Sequence, residues 1–180
     1  PINYARERGI EDVIAALEKN MGAPFQQVPF DQLDSVDPCF TLENDRVVGL
    51  NIYRCFEVDF SFLRFLTRLK ELYLVNNKLT DITPLQSLTG LETLMLHRNR
   101  ITDLAPLAPL TGLKKLYIGD NGLPNVSALR SLTQLEELWA NGNRLTDISP
   151  LASLTGLETL VLNRNELTDI RSIQSLGALK

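Results

Sequence analysis

Leucine and its apolar relatives fall on a 22-residue grid along most of this chain. Units begin at Leu69, Leu91, Leu113, Leu135 and Leu157, and a sixth opens at Leu179. In each unit apolar residues occupy positions 1, 4, 6, 11, 14, 17 and 20; position 4 reads Leu72, Leu94, Leu116, Leu138 and Leu160. A period of this size marks an array in which one small unit cannot bury its apolar face alone and stacks on its neighbours. Apolar positions 4 and 6 are flanked by positions that vary, so a short strand there sends its leucines to one side. One strand per unit, each about 4.8 Å from the next, predicts a parallel sheet.

The remaining positions predict how the chain turns back. Position 9 is always asparagine: Asn77, Asn99, Asn121, Asn143 and Asn165. A side-chain amide both donates and accepts, so it can satisfy loop backbone groups that are buried without partners, forming a ladder along the array. Asp81 with Thr83-Pro84, and Asp147 with Ser149-Pro150, are helix-capping residues followed by a proline in the first turn. Leucines three apart follow, as in Leu85 and Leu88, which suits a single 3₁₀ or α turn on the outer side. Threonine then precedes Gly90, Gly112 and Gly156 before the next strand.

Residues 47–68 fit the grid loosely and read as a degenerate capping repeat. Leu50 and Ile52 take positions 4 and 6, Cys55 stands at the asparagine position, and Glu57 falls where other units carry an aliphatic residue. A buried thiol is a small, weak donor and the accepted alternative there. Residues 1–46 do not repeat. Ile10, Val13, Ile14 and Leu17 have the spacing of an amphipathic helix, ended by Gly22 and Pro24. Residues 39–42, Asn44-Asp45 and residues 46–52 read as a β-hairpin with its turn at Asn-Asp. Helix and hairpin together form a lid over the end of the array, which would otherwise open its core and a strand edge to water. No such device closes the other end, so residues 179–180 are expected to begin a further repeat of a longer chain.

The five units at 69–178 read L-x-x-L-x-L-x-x-N-x-L-T-D-I-x-P-L-x-x-L-T-G, and this pattern resembles the internalin-type bacterial class of leucine-rich repeats. The third unit departs from it: Pro124-Asn125 replaces Thr-Asp, and Ala128 stands in place of the proline. The resemblance implies an α/β leucine-rich-repeat solenoid, with a parallel sheet on the concave face and short 3₁₀ or α turns on the convex face. It also implies a protein-recognition surface without catalysis, and it names no partner. The N-terminal part differs from the helical cap of secreted internalins, which favours a cytoplasmic over a secreted location. Another intracellular setting for such repeats is the Roco-type GTPase, in which they precede a Ras-like domain; a fragment of an extracellular adhesin is a third reading.

Composition changes this picture little. Of the 180 residues 44% are hydrophobic and 22% charged, which is ordinary for a folded domain, and the net charge of −4 offers none of the basic surface that nucleic acid requires. No apolar stretch is long enough to span a membrane, and residues 1–8 lack the apolar run of a signal peptide. Two cysteines, Cys39 and Cys55, are too few for a disulfide framework and have no spacing suited to zinc. His97, the single histidine, has no partner at a spacing that suggests a triad. Gly119-Asp120-Asn121-Gly122 resembles part of a calcium or phosphate loop but lacks the other ligands. No enzyme, cofactor or metal site is therefore expected.

Function is sought on the strand face. Position 5 gives Tyr73, Met95, Tyr117, Trp139 and Val161, which the period places side by side as an exposed aromatic-rich row. Glu71, Lys115 and Glu137 flank it on one side and His97 on the other, with Arg98, Asp120 and Arg164 at the strand ends. Aromatic anchors rimmed by mixed charge are the composition of a protein-binding hot spot. Aromatic and β-branched residues also favour strands for their own packing, so the row has a purely structural reading as well.

Overall fold

The computed structural model describes residues 15, 18–19, 24, 26–33, 38–43, 46–55 and 59–180. Among the described residues eight strands follow one another across a single sheet in sequence order. They are β1 (Gln26–Gln27), β2 (Cys39–Glu43), β3 (Arg46–Asn51), β4 (Glu71–Tyr73), β5 (Thr93–Met95), β6 (Lys115–Tyr117), β7 (Glu137–Trp139) and β8 (Thr159–Val161). From β3 onward every pairing is parallel and keeps the 22-residue grid, so Leu50, Leu72, Leu94, Leu116, Leu138 and Leu160 stand in one row. That row, with the leucines and isoleucines of the return segments, forms one continuous core. Among the described residues no helix is long and apolar enough to cross a membrane.

Each return segment is a short 3₁₀ turn: Phe60–Phe65, Thr83–Ser87, Ala105–Leu107, Ser127–Ser131, Ser149–Ser153 and Arg171–Ser175. Position 13 caps every one of them. The carboxylates of Asp59, Asp81, Asp103, Asp147 and Asp169 each accept from the backbone N–H two residues on, at 2.7–2.9 Å. Asn125 does the same for Ser127 at 3.1 Å, so the departing third unit keeps its cap. The capping group is therefore the Asp or Asn, while Thr83 and Ser149 open the turn and proline follows them. A second ladder runs along this side. The hydroxyls of Ser87, Ser131, Ser153 and Ser175 donate to carbonyls of the preceding unit at 2.9–3.2 Å. Pro109 interrupts it, in the unit whose turn is shortest.

The asparagine ladder ties each loop to its neighbours. Asn99 shows the pattern: its Oδ1 accepts from the N–H of Asn77 and Leu79, and its Nδ2 donates to the carbonyls of Leu74 and Leu96. Asn77, Asn121, Asn143 and Asn165 repeat the step across their own interfaces. Cys55 heads the ladder. Its N–H donates to Asn77 and its thiol to the nearby Tyr53 carbonyl, because no repeat loop precedes it to be held. Just before each ladder residue the chain turns through the left-handed region: Arg54, Asn76, Arg98, Asp120, Gly142 and Arg164 all have φ of 51–66°. Only one of the six is glycine, although the conformation costs other residues about 1 kcal/mol or more. Inter-repeat hydrogen bonds offset this: the N–H groups of Arg98, Asp120 and Gly142 reach carbonyls of the next unit at 2.8–3.0 Å.

The N-terminal part departs from a simple end lid. The helix over Ile10, Val13, Ile14 and Leu17, the Asn44-Asp45 turn and Glu57 lie outside the described residues; Ala15, Glu18 and Lys19 are helical. β2 and β3 do pair antiparallel, and β1 adds a parallel strand beyond them. The 3₁₀ turn Phe30–Gln32 then brings Leu33 onto the strand face rather than over the end. Leu33 packs where a side chain on Gly49 would stand, 2.8 Å from that position, and its carbonyl accepts from Asn51 Nδ2 at 2.9 Å.

Candidate functional site

The parallel register brings the sequence-derived row together. Tyr73, Met95, Tyr117, Trp139 and Val161 are paired neighbours across β4 to β8, as are Glu71, Thr93, Lys115, Glu137 and Thr159 beside them. Leucine at position 4 faces the core, so positions 3 and 5 face the opposite way.

One end of the row is not exposed, contrary to the sequence expectation. Tyr73 retains 8% of its surface, because Val28, Leu33 and Cys39 of the N-terminal segment close over it, and Met95 packs against that cluster. The Tyr73 hydroxyl donates to Glu71 Oε2 at 2.7 Å, so Glu71 is engaged in holding a buried ring. The exposed part of the row runs from Met95 to Val161, and Trp139 dominates it at 40% exposure. Tyr117 packs beside Trp139, with ring centroids 6.0 Å apart and planes tilted by 31°. Glu137 holds the indole, its Oε1 accepting from Trp139 Nε1 at 2.8 Å, and the same carboxylate lies near the Tyr117 hydroxyl. Burial first, and the neighbouring carboxylate second, push the Tyr117 phenol up to about 12.

His97 is half-buried on the other flank. Burial and the adjacent Arg98 guanidinium lower its pKa, against the opposing pull of Asp120. Next to it Gly119 is buried beneath Asn141, whose side chain takes the space a Cβ on Gly119 would need. Lys115 is exposed on the Glu137 side, and a row of charges lies just before it. Lys70 pairs with Glu43 and Lys114 with Glu92, both at 2.7 Å, and each lysine's pKa is raised by its partner.

A groove of about 890 Å³ opens where the N-terminal segment meets the strand face, lined by Val28, Pro29 and Thr41 from one side and by Glu71, Thr93 and Lys115 from the other. Sequence reasoning missed the contribution of residues 26–33, which carry no repeat signal and lie between the expected helix and hairpin of the cap. The pairing of position 3 carboxylates with position 5 ring donors was legible as Glu71-x-Tyr73 and Glu137-x-Trp139, two residues apart on one strand face. Among the described residues no group of three or more His, Cys, Asp or Glu is placed to hold a metal ion.

Comparison with known proteins places this geometry. The family model for leucine-rich repeats (2 copies) matches residues 67–109, 89–131, 111–153 and 133–176, together more than half of the chain. No curated protein matches it in sequence. Among solved structures, internalin C2 of Listeria monocytogenes is 32% identical over 80% of this chain and 66% of that one, with a TM-score of 0.72. The functional domain of InlJ from the same organism, described as including a cysteine ladder, is 25% identical over 91% of this chain and 39% of that one, with a TM-score of 0.62. The ectodomain of the Arabidopsis thaliana receptor kinase GASSHO1/SCHENGEN3, solved in complex with Casparian strip integrity factor 2, is 26% identical over 84% of this chain, with a TM-score of 0.69. The chain spans 66% of internalin C2, 39% of InlJ and 20% of the receptor ectodomain, less than two thirds of each. The sheet, the 3₁₀ returns, the asparagine ladder and the matched repeats make this chain a member of the leucine-rich-repeat family, of the internalin type.

Proposed function

We propose that this protein binds a partner protein through the concave strand face, with Trp139 and Tyr117 as the anchor. The leucine-rich-repeat fold generally mediates protein–protein interaction, and the receptor ectodomain above was solved bound to such a partner. The observation that carries the reading is the exposure of Trp139. Among the described residues only Phe65, Trp139 and Ile170 are large apolar side chains left exposed, and Trp139 alone stands in the aromatic row of the strand face. A tryptophan held by a hydrogen bond and a ring neighbour loses little freedom on binding, which suits a hot spot.

Two single variants test this, Tyr117→Ala and Trp139→Ala, used in affinity capture from the source cell and then in titration of the captured protein. Tyr73 is left intact, since its removal would open the N-terminal cluster. The expected result is a loss of affinity of about 30-fold or more for Trp139→Ala, equivalent to about 2 kcal/mol, with a melting temperature close to native. Unchanged affinity for both variants, with the fold intact, would remove the strand face from the interaction.

A further inference from the structure

The aromatic pair and Glu137 specify what kind of side chain the anchor receives. Glu137 is half-buried, and the hydrogen-bond partner of its carboxylate, the Trp139 indole, is neutral. That bond orients the carboxylate without cancelling its charge. Lys115 stands opposite Glu137 in the register but forms no ion pair with it, and Glu136 adds a further negative charge that no ion pair engages among the described residues. On the far side of the row Gly119 carries no side chain, and Asn141 lies over it.

Resting on the strand-face reading above, we infer that Tyr117, Trp139 and Glu137 form a receptor for an arginine side chain presented by the partner protein. A guanidinium is planar, keeps its charge, stacks on tryptophan and tyrosine faces, and donates in parallel to a carboxylate. The floor of this site offers both features at adjacent strand positions: two tilted rings with centroids 6.0 Å apart, and a carboxylate oriented by the indole of one of them. A lysine ammonium can meet the charge but cannot stack in the same way, and an apolar side chain would leave Glu137 covered and without a cation.

Trp139 is the only tryptophan in the chain, so its indole N–H gives one resolved signal at the site itself. The test titrates isotope-labelled protein with acetyl-Ala-Arg-Ala-amide and with the citrulline peptide, which has the same shape and no charge. The arginine peptide is expected to shift the indole signal saturably and to bind about threefold or more tighter than the citrulline peptide. Glu137→Gln should erase that preference, and Lys115→Gln, which removes a competing positive charge, should widen it. Equal affinities for the two peptides, no binding of either, or an arginine preference that survives Glu137→Gln would overturn the inference. A partner that needs Trp139 yet tolerates Glu137→Gln would overturn it too, while leaving the strand face as the binding surface.

Discussion

Replacing Asn99 with alanine isolates what the asparagine ladder contributes. The side chain makes four short hydrogen bonds: it accepts from Asn77 N at 2.9 Å and Leu79 N at 3.0 Å, and donates to the carbonyls of Leu74 and Leu96, both at 2.8 Å. A typical intramolecular hydrogen bond contributes about 1 kcal/mol net, so the four together predict a loss of about 4 kcal/mol. Asn99 is 8% exposed, so water entering at the loop rim recovers part of this and lowers the expectation to about 3 kcal/mol. Alanine offers nothing to the two freed N–H groups. Cysteine, which the protein itself uses at position 55, supplies bulk and one weak donor and should fall between the two. Urea unfolding followed by circular dichroism measures the total, and amide exchange locates it, because Asn77 and Leu79 should lose protection before residues of the distant units. A loss below about 1 kcal/mol, with those two amides still protected, would refute the argument that the ladder carries the loops.

Other predictions concern the caps, the rings and the turns. The carboxylates of Asp59, Asp81, Asp147 and Asp169 are held below their ordinary value by the N–H and side-chain groups they cap. Groups with a lowered folded pKa stabilise fully above the unfolded value and lose this as pH falls, so stability should drop below about pH 4. The double variant Asp81→Asn with Asp147→Asn should flatten that acid limb in melting experiments, on the precedent of Asn125. Tyr117 is shifted the other way: its contribution is intact below pH 10 and is lost as pH rises through about 12. Alkaline titration of the phenol absorbance, native against Tyr117→Phe, should show one late-ionising tyrosine missing from the variant. At Arg164, φ of 58° favours glycine, so Arg164→Gly should leave the melting temperature unchanged or raised, whereas the β-branched Arg164→Val should destabilise by about 1–2 kcal/mol.

The parts of this structure legible in the sequence are those that repeat. The grid sets which residues face the core, and because parallel neighbours keep one register, it also sets which residues lie side by side on the open face. The period therefore sets Tyr117 and Trp139 side by side, as the paired strands do. The burial of Tyr73 had no such signal. It depends on Val28, Leu33 and Cys39, which come from non-repeating chain and meet only through tertiary packing. Gly49 was a faint pointer, a glycine at position 3 where other units carry a side chain, left bare so that Leu33 can approach. The left-handed turn at position 8 stayed hidden because its occupants are three arginines, an asparagine, an aspartate and one glycine. Local preference is outvoted there by hydrogen bonds to the next unit. The serine ladder at position 19 was visible in the spacing, yet an apolar search passes over hydroxyls.

The row of charges at position 2 has a different logic from the ladders. Every asparagine step is interchangeable, so that ladder would tolerate removal or duplication of a single 22-residue unit. The charges instead read Lys70, Glu92, Lys114, Glu136, Glu158 and Lys180, with Glu43 of the hairpin leading them, Lys114 bonded back to Glu92 and Lys180 to Glu158. Excising the Glu92 unit sets Lys70 against Lys114, like beside like, whereas excising the Glu92 and Lys114 units together sets Lys70 against Glu136. Around Lys70, Glu92 and Lys114 the units are therefore not equivalent: losing the Glu92 unit alone brings repulsion and losing it with the Lys114 unit does not, so the edge of the sheet records an order of units that its core treats as identical.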